Sequence, residues 1–222
     1  MPLVATNAAA ETPKRGGILN FSVVAEPPTY DCHASTTFAT LHPIAPHYST
    51  LLRYEGDWRD MKIAGDVAES WSASADGRRY EFKLRPGIKF HDGQPLTAED
   101  VKFTFDKMMD PTTDCPDLRN YYQDIASCDI IDPHTVKFTC KKPFFLHEIM
   151  LGDLSIIPKH VYSTGDFNNH PNNRAPIGSG PYKLEKWDTN QQLVFVRNPD
   201  YWGKALGREG HIDKFIWRIV LE

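Results

Sequence analysis

Residues 80–93 read Tyr-Glu-Phe-Lys-Leu-Arg-Pro-Gly-Ile-Lys-Phe-His-Asp-Gly. Tyr80, Phe82 and Leu84 alternate with Glu81, Lys83 and Arg85. That two-residue period belongs to a strand with one buried face. Ala75-Asp76-Gly77 supplies the turn into it and Pro86-Gly87 the turn out. Ile88-Lys89-Phe90 makes a second short run, which His91-Asp92-Gly93 stops. A chain that reverses so often at the middle builds antiparallel hairpins.

The neighbouring stretches extend this pattern. Thr97-Ala98-Glu99-Asp100 sets a hydroxyl three residues before a carboxylate, the signature of a capped helix start. Val101, Phe105 and Met108 or Met109 then form an apolar stripe, and Asp110-Pro111 ends it. Cys128 to Cys140 reads as a hairpin turning at Asp132-Pro133-His134-Thr135. A four-residue loop there sets Cys128 opposite Thr139 and points Cys140 to the other face, so the two thiols are expected free and buried. No CxxC pair exists among the four cysteines, which excludes zinc-ribbon and thioredoxin-type arrangements. Asp66 to Trp71 belongs to the same patterned region.

Towards the ends, Ile18 to Val24, Tyr182 to Leu184, Leu193 to Arg197 and Phe215 to Leu221 read as strands. Helical spacing runs through Leu41, Ile44, Tyr48, Leu51 and Leu52, with Pro43 and Pro46 confining any regular helix to the later part. A further helix is expected over Phe144 to Leu151 and a helical turn over Pro158 to Tyr162, followed by a loop over 163–176. The chain is therefore mixed α and β, and the hairpins argue against a doubly wound parallel sheet.

The 222 residues carry 25 Lys plus Arg against 29 Asp plus Glu, a net charge of −4. That balance offers no pull towards nucleic acid or anionic membrane. No stretch reaches the ~18 uncharged apolar residues of a membrane span. Catalytic signatures fail one by one. Gly178-Ser179-Gly180 lacks the third glycine of a nucleotide fingerprint, since position 183 is Lys183. It also lacks the flanking glycine of a nucleophile elbow, since position 177 is Ile177. A tight structural loop is the expectation. His33, His42 and His47 have no metal-ligand spacing and read as loop histidines on a solvated surface, so no metal and no cofactor are expected. Glu99/Asp100 reads as a cap and Asp57/Asp60 as a turn. The five tryptophans, Trp58 among them, read as packing residues.

Taken in order, Asp66-Val-Ala-Glu-Ser-Trp71, the stretch Tyr80 to Gly93, Leu96-Thr-Ala-Glu-Asp-Val-Lys-Phe-Thr-Phe105, Pro176-Ile-Gly-Ser-Gly-Pro-Tyr182 and Arg197-Asn-Pro-Asp-Tyr-Trp-Gly203 form a specific series. It resembles the peptide- and nickel-binding family of bacterial extracellular solute-binding proteins, family 5, the receptors of ABC importers. The resemblance covers about residues 16 to 222. It implies an α/β, mixed α+β fold: a class II periplasmic binding protein-like clamshell of which this chain supplies the first lobe and its extra subdomain, the second lobe lying beyond Glu222. Residues 1–15 would be a tail with Ala8-Ala9-Ala10 as a secretory-signal remnant. Residues 16–49 and 173–222 would form the first-lobe core, and 50–172 the inserted subdomain.

The implied function is non-covalent solute capture in the periplasm, without catalysis, in partnership with an ABC permease. Peptide, nickel-complex, opine and sugar receptors share the framework, so the resemblance conveys a receptor class and not one solute. A single-lobe interaction or sensory module is the competing reading. The signature residues themselves read as structural, with Tyr201-Trp202 plugging an apolar gap. By position in the resemblance, Thr36, Thr37, Phe38, Pro116, Asp117, Leu151 and Gly152 would meet the ligand. The family's usual Asp-Pro-His after the first strand is Asp31-Cys32-His33 here. Two further expectations follow: one lobe alone binds weakly, and the apolar final strand, short of a neighbour, promotes self-association.

Overall fold

A computed structural model of the protein describes residues 13–55 and 62–220. The Asp57/Asp60 turn, Trp58, the stretch 1–12 and the end of the last expected strand at Leu221 lie outside them. The elements in chain order are β1 (Ile18–Val23), α1 (Phe38–Ile44), β2 (Leu52–Glu55), β3 (Lys62–Gly65), β4 (Ala68–Ala73) and β5 (Arg79–Leu84). Then follow α2 (Ala98–Met109), α3 (Leu118–Tyr122), β6 (Ile125–Asp132), β7 (Thr135–Cys140), α4 (His147–Gly152), α5 (Lys159–Tyr162), β8 (Tyr182–Asp188), β9 (Gln192–Arg197) and β10 (Lys214–Ile219).

The alternation at 79–84 is realised as strict exposed–buried order along β5. It sits inside an antiparallel sheet of order β4-β5-β7-β6. Helix α2 covers that sheet on β6 and β7. Its capping box is complete: the Thr97 hydroxyl accepts from a backbone N–H at the helix start, and Asp100 accepts from the Thr97 N–H at 2.9 Å. Asp100 also accepts from the Lys159 N–H at 2.9 Å, so the cap fixes where α5 begins. Phe82, Phe138 and Phe105 meet edge to face at the centre of this layer, with centroids 5.9 and 5.7 Å apart. Burying each phenyl ring stabilises the fold by about 1.5–3 kcal/mol.

The second sheet has order β1-β10-β9-β8, with β1 parallel to β10 and the remaining pairs antiparallel. The β8–β9 hairpin turns through Asn190 at φ 58°, a left-handed position that Asn tolerates better than most side chains. Tyr182, Leu193, Phe195 and Ile219 form a second core with Tyr30, Ile44, Tyr48, Ile157, Tyr162 and Phe167. The first core takes residues from Leu51 through Ile156.

Four local expectations are corrected. The helix among residues 36–54 lies early, at Phe38–Ile44, and contains Pro43; residues 52–55 are strand. So short a helix loses only one ladder bond to the proline, while Leu51 and Leu52 bury themselves in the first core from extended backbone. The Cys128–Cys140 hairpin closes with a two-residue loop, Asp132 pairing Thr135, and carries two register shifts. Cys128 therefore faces Phe138 rather than Thr139, and both thiols point into the same core; they are free. The helix expected over 144–151 begins at His147, leaving Phe144, Phe145 and Leu146 exposed. The final strand is not an open edge, because β10 is hydrogen-bonded to β1 on one side and β9 on the other. The edges are β1 and β8.

The Gly178-Ser179-Gly180 loop is the joint of the molecule. A Cβ on Gly178 would lie 2.1 Å from the His47 carbonyl oxygen, and one on Gly180 2.5 Å from that of Pro46. The close approach lets Gly180 N–H bond the His47 carbonyl at 2.8 Å and Tyr182 N–H bond that of Pro46 at 3.1 Å. Gly178→Ala is expected to cost at least about 3 kcal/mol, since backbone must move to admit the methyl. Thr97→Ala should cost about 1 kcal/mol through the lost cap. Urea unfolding of both variants checks the order; a Gly178→Ala protein as stable as Thr97→Ala would refute it.

Candidate functional site

A cleft of about 730 Å³ opens where five segments converge. The loop and helix from Cys32 to Ser49 form one side and the β2–β3 ribbon another. Leu118 and Tyr122 of α3, residues 149–155, and Tyr201 with residues 208–210 complete it. The lining mixes apolar groups with Tyr48, Tyr54, Tyr122, Arg53, Asp66, Asp153, Arg208 and Glu209. Aromatic walls with few charged groups are the usual makeup of a small-molecule site.

Arg208 is committed to architecture. It donates to the Gly65 carbonyl at 2.8 Å and pairs with Glu55, holding the 201–210 segment against the ribbon. Trp202 donates to the Ser49 hydroxyl at 3.3 Å, and Asn198 to the Gly180 carbonyl at 3.3 Å. The segment Arg197 to Gly203 thus acts as the packing plug its sequence suggests. Ser179 is fully buried; its hydroxyl accepts from the Ser49 N–H and its carbonyl from the Ser49 hydroxyl, an arrangement with no route for a substrate.

The site residues expected from the sequence fall into three groups. Thr36 donates to Asp117 at 2.8 Å, joining the loop before α1 to the residue before α3 although 81 positions separate them. Thr37 precedes α1 and its hydroxyl lies 3.1 Å from that of Ser35; Phe38 is 77% exposed; Pro116 is exposed and its carbonyl accepts from Asn120. None of these five is among the residues that line the cleft, although Cys32, His33, Leu41 and Leu118, near them in sequence, are. Gly152 lines the cleft itself, packed so tightly on Leu52 that a Cβ would lie 2.7 Å from it. Leu151 is fully buried in the first core and supports the wall from behind. Tyr54, Tyr122 and Arg53 carry no sequence signal of a site, because their spacing along the chain has no common period.

The histidines correct the sequence reading. His33 and His47 are buried, at 1% and 0% exposure, and are not on a solvated surface. His33 Nε2 lies 3.2 Å from the Thr104 carbonyl, which can only accept, so that nitrogen carries a proton. Its Nδ1 lies 3.1 Å from Asp31 Oδ1 and 3.7 Å from Cys32 Sγ. Burial opposes charge on this ring, yet Cys32 and Asp31 together hold its pKa well above the usual imidazole range. His47 stands edge-on to Tyr48 and His91, and burial first, His91 second, push its pKa well down. His91 is fixed as a neutral ring: Nδ1 accepts from Gly178 N–H at 3.2 Å, and Nε2 donates to the Gly180 carbonyl at 3.0 Å. Burial lowers its pKa to about 4, with Lys183 adding to the effect and Asp92 opposing it.

The chain belongs to the bacterial extracellular solute-binding proteins, family 5, whose middle region matches residues 62–222. It is 36% identical over 215 residues to the probable D,D-dipeptide-binding periplasmic protein DdpA of Escherichia coli K12, covering 90% of this chain and 40% of that one. It is 33% identical over 168 residues to the glutathione-binding protein GsiB of Salmonella typhimurium, covering 74% and 31%. Among solved structures, the oligopeptide-binding protein AppA of Bacillus subtilis, in complex with a nonapeptide, matches with a TM-score of 0.83 at 26% identity, covering 94% and 41%. The chain thus spans about two fifths or less of the length of these relatives. These relatives are named as binding proteins, and no described helix is long and apolar enough to cross a membrane.

The neutral rings carry a pH dependence. An unfolded histidine takes up a proton near pH 6.5, whereas folded His91 resists until about 4. The unfolded state therefore binds more protons in that window, and stability falls as pH drops from about 6.5 to 4, by about 2–3 kcal/mol for this ring. His91→Gln can keep both hydrogen bonds without titrating. Urea midpoints measured from pH 7.5 to 4.5 should fall less steeply in that variant; equal slopes would refute the assignment.

Proposed function

We propose that this chain forms one wall of the solute cleft in the periplasmic receptor of an ABC importer, and that the solute is a peptide or a related small molecule. The observation that carries the reading is the cleft itself, about 730 Å³ and lined by four tyrosines and a few charged groups, in a chain whose relatives are named for dipeptide, glutathione and oligopeptide binding. Binding is non-covalent, and delivery is to a membrane permease. Gly152, Tyr48, Tyr54 and Tyr122 line the cleft and are the contacts on this wall, with Thr36, Thr37, Phe38, Pro116 and Asp117 assigned as contacts from loops outside that lining; Leu151, wholly buried, is not among them. We assign residues 16–49 and 173–222 to the core of the lobe and 50–172 to an inserted subdomain. The two separate hydrophobic cores support that division, with Ile157, Tyr162 and Phe167 siding with the lobe core.

The Thr36–Asp117 bond ties the two rim loops together, so its loss should loosen the wall without unfolding either core. In the complete gene product carrying this sequence, calorimetric titration with di- to pentapeptides should show micromolar binding. Asp117→Ala should weaken it about tenfold, as expected for one charge-assisted hydrogen bond. Absence of binding across peptide pools would overturn the peptide reading. The 222-residue polypeptide alone offers one wall, whereas a pocket commonly buries ~70–90% of its ligand. Its affinity should fall at least about a hundredfold below that of the complete product; equal affinity would place the entire site on this chain.

A further inference from the structure

The loop between β1 and α1 brings a thiol, an imidazole and a carboxylate from three consecutive residues into one buried spot. One ligand atom from each of Asp31, Cys32 and His33 lies within 4.8 Å of the others. The Asp31 and His33 side chains are 3% and 1% exposed. Three features make the cluster more than a chance of composition.

The first is orientation. His33 Nε2–H is spent on the Thr104 carbonyl, which turns Nδ1 towards Asp31 and Cys32. A ligating histidine is commonly held in this way, its other nitrogen donating to a backbone carbonyl. The second is an unpartnered buried oxygen. Asp31 Oδ1 accepts the His33 N–H at 2.9 Å and faces His33 Nδ1, but Oδ2 is buried with no hydrogen-bond partner. A buried carboxylate oxygen without a donor is costly, and a metal ion would satisfy it. The third is spacing. In a tetrahedral zinc site, bonds of about 2.3 Å to sulfur and 2.0 Å to nitrogen or oxygen give edges of about 3.5 Å for S···N and 3.3 Å for N···O. The S···N and N···O separations here are 3.7 and 3.1 Å, and all three ligand atoms lie within 4.8 Å of one another.

We propose that Asp31, Cys32 and His33 bind a thiophilic divalent cation such as zinc, with the remaining coordination position facing the cleft. Cys32 and His33 both line that cleft, so the open position is accessible to a water or to a donor atom of a bound solute. On binding, the Cys32 thiol proton leaves as the sulfur–metal bond forms, and any proton on His33 Nδ1 leaves with it. The donor set of sulfur, nitrogen and one oxygen suits zinc or cobalt and not magnesium or calcium. The site depends on Cys32, its one sulfur ligand. The proposal does not rest on the identity of the solute.

Cobalt(II) is the probe. Added to the complete gene product, it should produce a thiolate-to-cobalt charge-transfer band in the near ultraviolet, with the visible bands of a tetrahedral ion, and zinc should displace it. Zinc should also raise the melting temperature. Cys32→Ser and Cys32→Pro should abolish the band and the zinc-dependent shift, with at least a hundredfold loss of zinc affinity. Circular dichroism of both variants establishes that each is folded before the metal titration, and the one that folds carries the test. No band and no zinc-dependent shift in the unaltered protein would assign the spot to a proton shared by His33 and Asp31 and overturn the proposal. A band that survives in Cys32→Pro would place the metal elsewhere and overturn it equally. Peptide binding measured without metal keeps this test separate from the receptor assignment.

Discussion

The close contact of Gly178 and Gly180 with the Pro46–His47 backbone holds the rest of the structure in place. Residues 46–49 lead into the first core, and residues 178–182 lead into the second sheet. Two glycines let these strands of chain approach to hydrogen-bonding distance, and side chains then lock the joint. His91 bonds both glycines, from Nδ1 and Nε2 and again through its own N–H, which donates to the Gly178 carbonyl at 2.7 Å. Ser179 exchanges two bonds with Ser49. Asn198 bonds the Gly180 carbonyl from the far side. A motif that tempts a nucleotide or nucleophile reading is thus spent entirely on bringing two layers together.

The cleft lies beside this joint. Its lining residues come from chain segments near positions 32–54, 63–66, 118–122, 149–155 and 201–210, with Pro181 of the joint itself. None of these segments could define a cavity alone. Arg208 and Trp202 reach across to the ribbon and to Ser49, so the cleft wall is held by the same contacts that hold the fold. His91 is neutral because the loop offers one donor and one acceptor, whereas the Nδ1 of His33 faces Asp31 and Cys32.

Much of the fold was legible where local rules agree with the tertiary outcome. The alternation of β5, the box at Thr97–Asp100 and the strands of the second sheet fall where patterning places them. Legibility failed where packing overrode local preference. Two irregularities and a shorter loop moved the β6–β7 register, and α1 formed around Pro43. The ribbon β2–β3 has too few residues for a period to show. Thr36 and Asp117 were legible as candidates only through the family resemblance, and nothing in their spacing announces the bond between them.

By itself, the sequence determined a mixed α and β chain of hairpins and a capped helix, its membership in a family of binding proteins, and four cysteines without a metal spacing. Those properties depend on nearest neighbours and on ordered motifs, which survive in one dimension. Only the tertiary structure decided that β1 pairs with β10 across nearly the whole chain, making the apolar final strand an interior one. It alone decided that His33 and His47 are buried, and that an aspartate, a cysteine and a histidine share one spot. Such outcomes depend on which distant surfaces exclude water together, and burial is a property of the packed molecule rather than of any stretch of chain.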